Sequence, residues 1–247
     1  MDKKQTVQQI AEKILEKKSI YIDIVGSEQV FNSELEAYKM RLFNALNDAE
    51  ITVPIGVNIF LEVMQIGLSF APAKEHIYLS RLKGTGKYLG YKVTIDGQIY
   101  QAQEAGAISH LSEPVIVTKD QDFKIVNTPD GKQLAVGDIV FDNQDNFKLT
   151  NMKVGYVYIV YPNGERELSW ITGKRLTELQ AKSQNAYLYN DESFIQTKIL
   201  LHALRKVRKT NSKLKTIQNE TDEIIAQNME HIELPEEQEN SGTDEPF

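Results

Sequence analysis

The 247-residue chain has the length of one large domain or of a domain with a tail, and its 41 % hydrophobic residues suffice for a sizeable core. It contains no cysteine, which removes disulfides, thiolate catalysis and cysteine-based zinc sites; no run of about 18 apolar residues and no apolar leader mark a membrane span or a secretory signal. The net charge of −7 is unevenly spread: from Thr210 onward two lysines stand against ten acids, which leaves residues 1–209 close to neutral.

Residues 4–18 are expected to form an amphipathic helix, with Val7, Ile10, Ala11, Ile14 and Leu15 on one face. Ser33-Glu34-Leu35-Glu36 has the form of a capping box, and the helix it would open carries Leu35, Tyr38, Leu42 and Leu46 on one side. Pro54 and Gly67 bracket a third helix. Strand chemistry follows. His76–Leu82 and Lys87–Ile95 flank Lys83-Gly84-Thr85-Gly86 and predict a hairpin with a basic, glycine-rich tip. Asp96 is expected to cap a short helix that Gly106 closes. Ile108, Val115–Thr118 and Phe123–Val126 are strand-like, and Pro129-Asp130-Gly131 is a turn. Val154–Val160 and Glu165–Ile171 are joined by Pro162-Asn163-Gly164, a strong hairpin signal. Helices are expected near 174–186 and 191–209, and the polar, acidic composition after 210 predicts a mostly disordered tail. The order of helices, meander and helices predicts an α+β fold, with a core over 1–209 and an acidic tail over 210–247.

The chemistry-bearing patterns are few. Gly84-Thr85-Gly86-Lys87 lacks the spacing of a phosphate loop. The four histidines show no metal-ligand spacing. Asp122-Phe123-Lys124, with Asp96 upstream, allows an Mg²⁺-dependent nuclease in which two acids hold the metal beside a lysine. Asp130-Gly131-Lys132 repeats the short pattern, so strand-edge charge explains it as well. A basic cluster stands out more clearly. Seven Lys or Arg and no acid occur between Lys198 and Lys215. On a helix, Lys198, His202, Arg205 and Lys209 share one face, and Leu200, Ala203, Leu204 and Val207 share another. Such a helix docks by its apolar stripe and offers its basic stripe to a phosphate backbone. Arg81, Lys83, Lys87 and Lys92 interleave with Tyr78, Tyr88 and Tyr91, which combines charge for phosphates with faces for bases. Lys174-Arg175 is a third, smaller basic set.

The order of several motifs resembles that of the phage single-strand annealing proteins of the RecT and Redβ type. These are Gln65-Ile66-Gly67-Leu68 at a helix end, His76-Ile77-Tyr78-Leu79 in the next strand, Gly90-Tyr91-Lys92 with Ile95 before a helix, Gly106-x-Ile108, Thr172–Leu179 after the last hairpin, and Thr197-Lys198 opening a basic helix. Lys92 stands where the family usually has Arg, Val93 where it has Gly, and His202 where Arg is frequent. The resemblance implies an oligomer in the bacterial host cytoplasm that holds single-stranded DNA extended in a basic groove, with bases exposed, until a complementary strand pairs. It implies an annealed duplex intermediate, no nucleotide hydrolysis, no cofactor and a companion exonuclease.

The residues expected to contact DNA are Arg81, Lys87, Tyr91, Lys92, Lys174, Arg175, Lys198 and Arg205. Asp244-Glu245-Pro246-Phe247 is similar to the tip of bacterial single-stranded-DNA-binding protein. It makes Pro246 and Phe247 candidates for docking a host protein of that pathway, with a second role for the acidic tail in competing with DNA for the basic helix. The rival to annealing is the nuclease using Asp96, Asp122 and Lys124; a third possibility is a scaffold whose basic helix binds an acidic partner.

Overall fold

In the computed structural model, Asp2 accepts a hydrogen bond from the Lys4 amide and starts α1 (Lys3–Leu15). The structure describes residues 2–81, 88–128, 131–136, 147–183 and 185–210. The hairpin tip with Lys83 and Lys87, the Pro129-Asp130 turn and the acidic segment ending in Pro246 and Phe247 lie outside those residues. Val7, Ile10, Ala11 and Ile14 of α1 are buried as expected, whereas Leu15 is exposed. α2 (Lys18–Val25) follows and ends at Gly26, whose positive φ of 76° suits glycine.

α3 (Glu28–Ala45) starts earlier than the sequence pattern suggested. Its cap is Ser27, whose hydroxyl accepts from the Val30 amide, so Ser33–Glu36 lies inside the helix and is no capping box. Glu34 is buried instead. Its carboxylate accepts from the Ser69 hydroxyl at 2.5 Å and the Phe70 amide at 2.6 Å, tying α3 to the chain beyond α4 (Val53–Gln65). Thr52 caps α4 with Pro54 in its first turn. Tyr21, Phe31, Tyr38, Phe60 and Phe70 meet in the centre of this helical layer.

β1 (Ile77–Arg81) and β2 (Leu89–Val93) form the expected hairpin, with Tyr78 opposite Lys92 and Leu79 opposite Tyr91. Ile77, Leu89 and Tyr91 join the helical core, and the Leu89 amide donates to the Glu50 carbonyl at 2.8 Å. Thr94, not Asp96, caps α5 (Ile95–Glu104): its hydroxyl accepts from Gly97, and Asp96 sits in the first turn. A Cβ on Gly97 would lie 2.3 Å from the His76 carbonyl oxygen, so only glycine allows α5 this close to the entry of β1.

The remaining elements build a second layer. β7 (Met152–Val160) pairs along one edge with β8 (Arg166–Thr172), and along the other with β3 (His110–Leu111) and β4 (Val115–Thr118), all antiparallel. β5 (Phe123–Thr128) pairs with β6 (Gly131–Val136), a strand the sequence reading did not anticipate. Alternation divides the main sheet. Val157, Ile159 and Ile171 face α7 (Glu192–Thr210), while Val154, Tyr156 and Leu168 cluster with Val117 and Phe123. α6 (Gly173–Gln180) follows β8 directly. The fold is thus α+β with antiparallel sheets. Among the described residues no helix is long and apolar enough to cross a membrane.

Candidate nucleic-acid interface

α7 owes its position to its two stripes. Asp191 starts it, accepting from the Ser193 hydroxyl and from the Ser193 and Phe194 amides. These bonds, the one from the Ser193 hydroxyl foremost, hold the Asp191 carboxyl below its usual range. Ile195, Ile199, Ala203, Leu204 and Val207 are buried against the sheet and α5. Gly155 lets the helix approach, since a Cβ there would lie 2.3 Å from Ile199 Cδ1. Of the apolar set read from the sequence, Ala203, Leu204 and Val207 take this role, and Leu200 is half-buried at its edge.

The opposite side of α7 forms one wall of a cleft of about 930 Å³. Lys198, Leu201, His202, Arg205, Lys206 and Arg208 line it from α7, Arg175 and Leu179 from α6, Gln98 from α5, Ile171 from β8, and Tyr189 from the 3₁₀ turn Ala186–Asn190. Five of these described lining residues are Lys or Arg and none is Asp or Glu.

α6 brings Arg175 to this cleft by its N-terminus. The Thr172 hydroxyl accepts from the Arg175 amide at 3.2 Å. Gly173 has no room for a side chain, because a Cβ would stand 2.2 Å from the Met152 carbonyl oxygen. The Arg175 guanidinium donates to Glu178 at 2.8 Å, and this bond holds Glu178 below the usual carboxylate range. Lys206 pairs with Glu167 at 2.6 Å, and the Tyr161 hydroxyl donates to the same carboxylate at 2.6 Å. Burial pushes the Glu167 carboxyl up, but the bonds from Lys206 and Tyr161 outweigh it and the net shift is downward. Burial also raises the Tyr161 phenol, with Glu167 adding to it, to about 12. Arg208 donates to Gln98, which fixes α5 to the end of α7.

Lys198 is half-buried in this cleft. Its ammonium lies 4.6 Å from the Phe194 ring centre and 6.0 Å from that of Tyr189, within cation–π range. Burial, with Arg205 adding its charge, lowers its pKa below that of an ordinary lysine.

Three of the expected contact residues, Arg175, Lys198 and Arg205, therefore come together. The others do not join them. Lys174 is exposed on α6 but does not line the cleft. Arg81 and Lys92 belong to the β1–β2 hairpin, where the Arg81 guanidinium donates to the Asp48 carbonyl and Lys92 lies 5.7 Å from the Tyr78 ring centre. Tyr91 is only 8 % exposed and packed in the helical core beside Glu62, with no open face for a base; burial, with Glu62 adding to it, raises its phenol. Period-two alternation puts Tyr91 and Lys92 on opposite faces of β2. Lys87, Pro246 and Phe247 are outside the described residues.

Tyr189, Gln98, Lys206 and Arg208 also line the cleft, and Phe194 lies against Lys198. The spacing of Phe194 and Lys198, four residues apart on one helix, was a local signal for that pair; Gln98 arrives only through tertiary packing. For the nuclease alternative, Asp96 is in the first turn of α5, while Asp122 and Lys124 are exposed at the start of the β5–β6 hairpin. Among the described residues no three His, Asp or Glu side chains assemble into a group able to hold a metal ion. No protein-family model matches the chain, and no curated protein matches its sequence.

Proposed function

We propose that this protein binds single-stranded DNA along the α6–α7 cleft and anneals it to a complementary strand without ATP, as a recombination protein of the phage annealing type working as an oligomer in the bacterial cytoplasm. One observation carries the reading: a cleft whose described lining includes five Lys or Arg and no carboxylate, formed by a helix that is anchored by its apolar face. Annealing needs no covalent chemistry. It needs neutralised phosphates, so that two polyanions can approach, and bases left open to pair. Contacts to phosphate carry no sequence information, so binding is expected to be nearly indifferent to sequence. The single strands would come from a companion exonuclease, and the acidic C-terminal segment would offer a docking tip to a host protein of the single-strand-binding pathway.

The test is a titration of labelled single strands at several salt concentrations. Affinity should fall with salt with a log–log slope of about −0.7 per neutralised phosphate, and alike for strands of different sequence. A flat salt response, or strong preference for one sequence, would contradict the reading.

A pH dependence follows from Lys198. Because its pKa is lowered, its ammonium is lost at a lower pH than that of an ordinary lysine. DNA affinity should therefore weaken as pH rises through that lowered value, before exposed lysines titrate. Lys198→Arg stays charged throughout and should flatten the profile. Identical pH profiles for the two proteins would show that Lys198 does not bear on binding.

A further inference from the structure

A single-strand site needs ring faces as well as charge, and Tyr189, the tyrosine in the cleft's described lining, has little face to give. Tyr189 is buried and meets Phe194 edge-on at 5.0 Å, while the Lys198 ammonium lies near both rings. Tyr91, the ring the sequence nominated, is in the core. Tyr187 differs from all of these. At 73 % exposed it is the most open of the large apolar side chains described.

Tyr187 also stands on a held support. It lies in the 3₁₀ turn Ala186–Asn190, two residues before the cleft-lining Tyr189. The Gln180 side chain donates to the Ala186 carbonyl at 3.0 Å, and the Leu188 and Asp191 amides close the turn onto Asn185 and Leu188. Tyr189, one turn-mate along, is locked in the core of the second layer. A ring fixed at its base and open to solvent loses little conformational freedom when a flat partner stacks on it.

We infer that Tyr187 is a base-stacking residue at the end of the α6–α7 cleft: one nucleobase of the bound single strand lies on its ring while neighbouring phosphates meet Lys198 and Arg205. The inference rests on the proposed DNA binding and assigns the aromatic part of that site. Stacking on a phenyl ring serves every base, so it adds affinity without sequence preference.

The experiment compares a thymidine oligonucleotide with an oligonucleotide of the same length and backbone whose sites are abasic, by anisotropy, for the wild type, Tyr187→Ala, Tyr187→Phe and Tyr78→Ala. Tyr187→Ala should lose about tenfold in affinity for the thymidine strand and nothing for the abasic strand, with an unchanged salt slope. Tyr187→Phe should bind as the wild type does. Equal losses on both strands would mean a structural or electrostatic effect and overturn the assignment. So would wild-type binding by Tyr187→Ala, or a base-dependent loss in Tyr78→Ala alone. If the wild-type protein bound neither strand, the DNA reading itself would fall and the assignment with it.

Discussion

Replacing Lys198 and Arg205 together by alanine should weaken single-strand binding roughly a hundredfold or more at low salt. A charge-assisted hydrogen bond contributes on the order of 1.5 kcal/mol or above, and tenfold in affinity corresponds to about 1.4 kcal/mol. The salt dependence should flatten as well. Two phosphates fewer means a log–log slope shallower by about 1.4 for a single strand. The pair suits such a test because both side chains line the cleft from α7, while the helix is held by Ile195, Ile199, Ala203, Leu204 and Val207 on its other side. Removing the charges should leave the fold in place, and circular dichroism with a thermal melt checks that it does. A variant that folds normally and keeps the wild-type affinity and slope would remove α7 from the DNA face.

Phe60→Ala should be among the most destabilising single substitutions in the chain. Phe60 is fully buried at the centre of the helical layer. It stacks on Phe70 at 5.5 Å, meets Tyr21 edge-on at 5.0 Å and tilts against Tyr38 at 5.4 Å. Loss of a buried phenylalanine typically costs about 3–5 kcal/mol, a large share of the roughly 5–15 kcal/mol that holds a domain together. Urea unfolding should show a lower midpoint with an unchanged slope. A loss below about 1 kcal/mol would mean that the ring sits in a site able to collapse around the gap.

What the sequence made legible was local. Pro162-Asn163-Gly164 announced the β7–β8 hairpin because turn chemistry is written in consecutive residues, and Gly164 indeed takes a positive φ of 84°. The two stripes of α7 were legible from helical periodicity alone. Pro54 and Gly67 marked the two ends of α4 by the same kind of local rule. The failures were non-local or ambiguous. Ser33 and Glu36 satisfy the capping pattern, but so does a mid-helix segment; only the extended backbone at Ser27 shows where α3 begins. Tyr91 looked like a partner of Lys92 because the two are adjacent, yet adjacency in a strand means opposite faces, and the hydrophobic layer claimed the tyrosine. The cleft draws on α5, β8, α6 and α7, and no spacing rule in the sequence brings Gln98 beside Arg208 or Arg175 into the same cleft as Arg205.

The central claim is annealing, and it is read most directly by mixing two complementary oligonucleotides, one carrying a donor and the other an acceptor dye, with the full-length protein and no nucleotide, and following energy transfer with time. The account predicts pairing faster than the spontaneous rate, undiminished by the absence of ATP and slowed in the Lys198→Ala/Arg205→Ala protein. Pairing at the spontaneous rate under conditions where both strands are bound would contradict it.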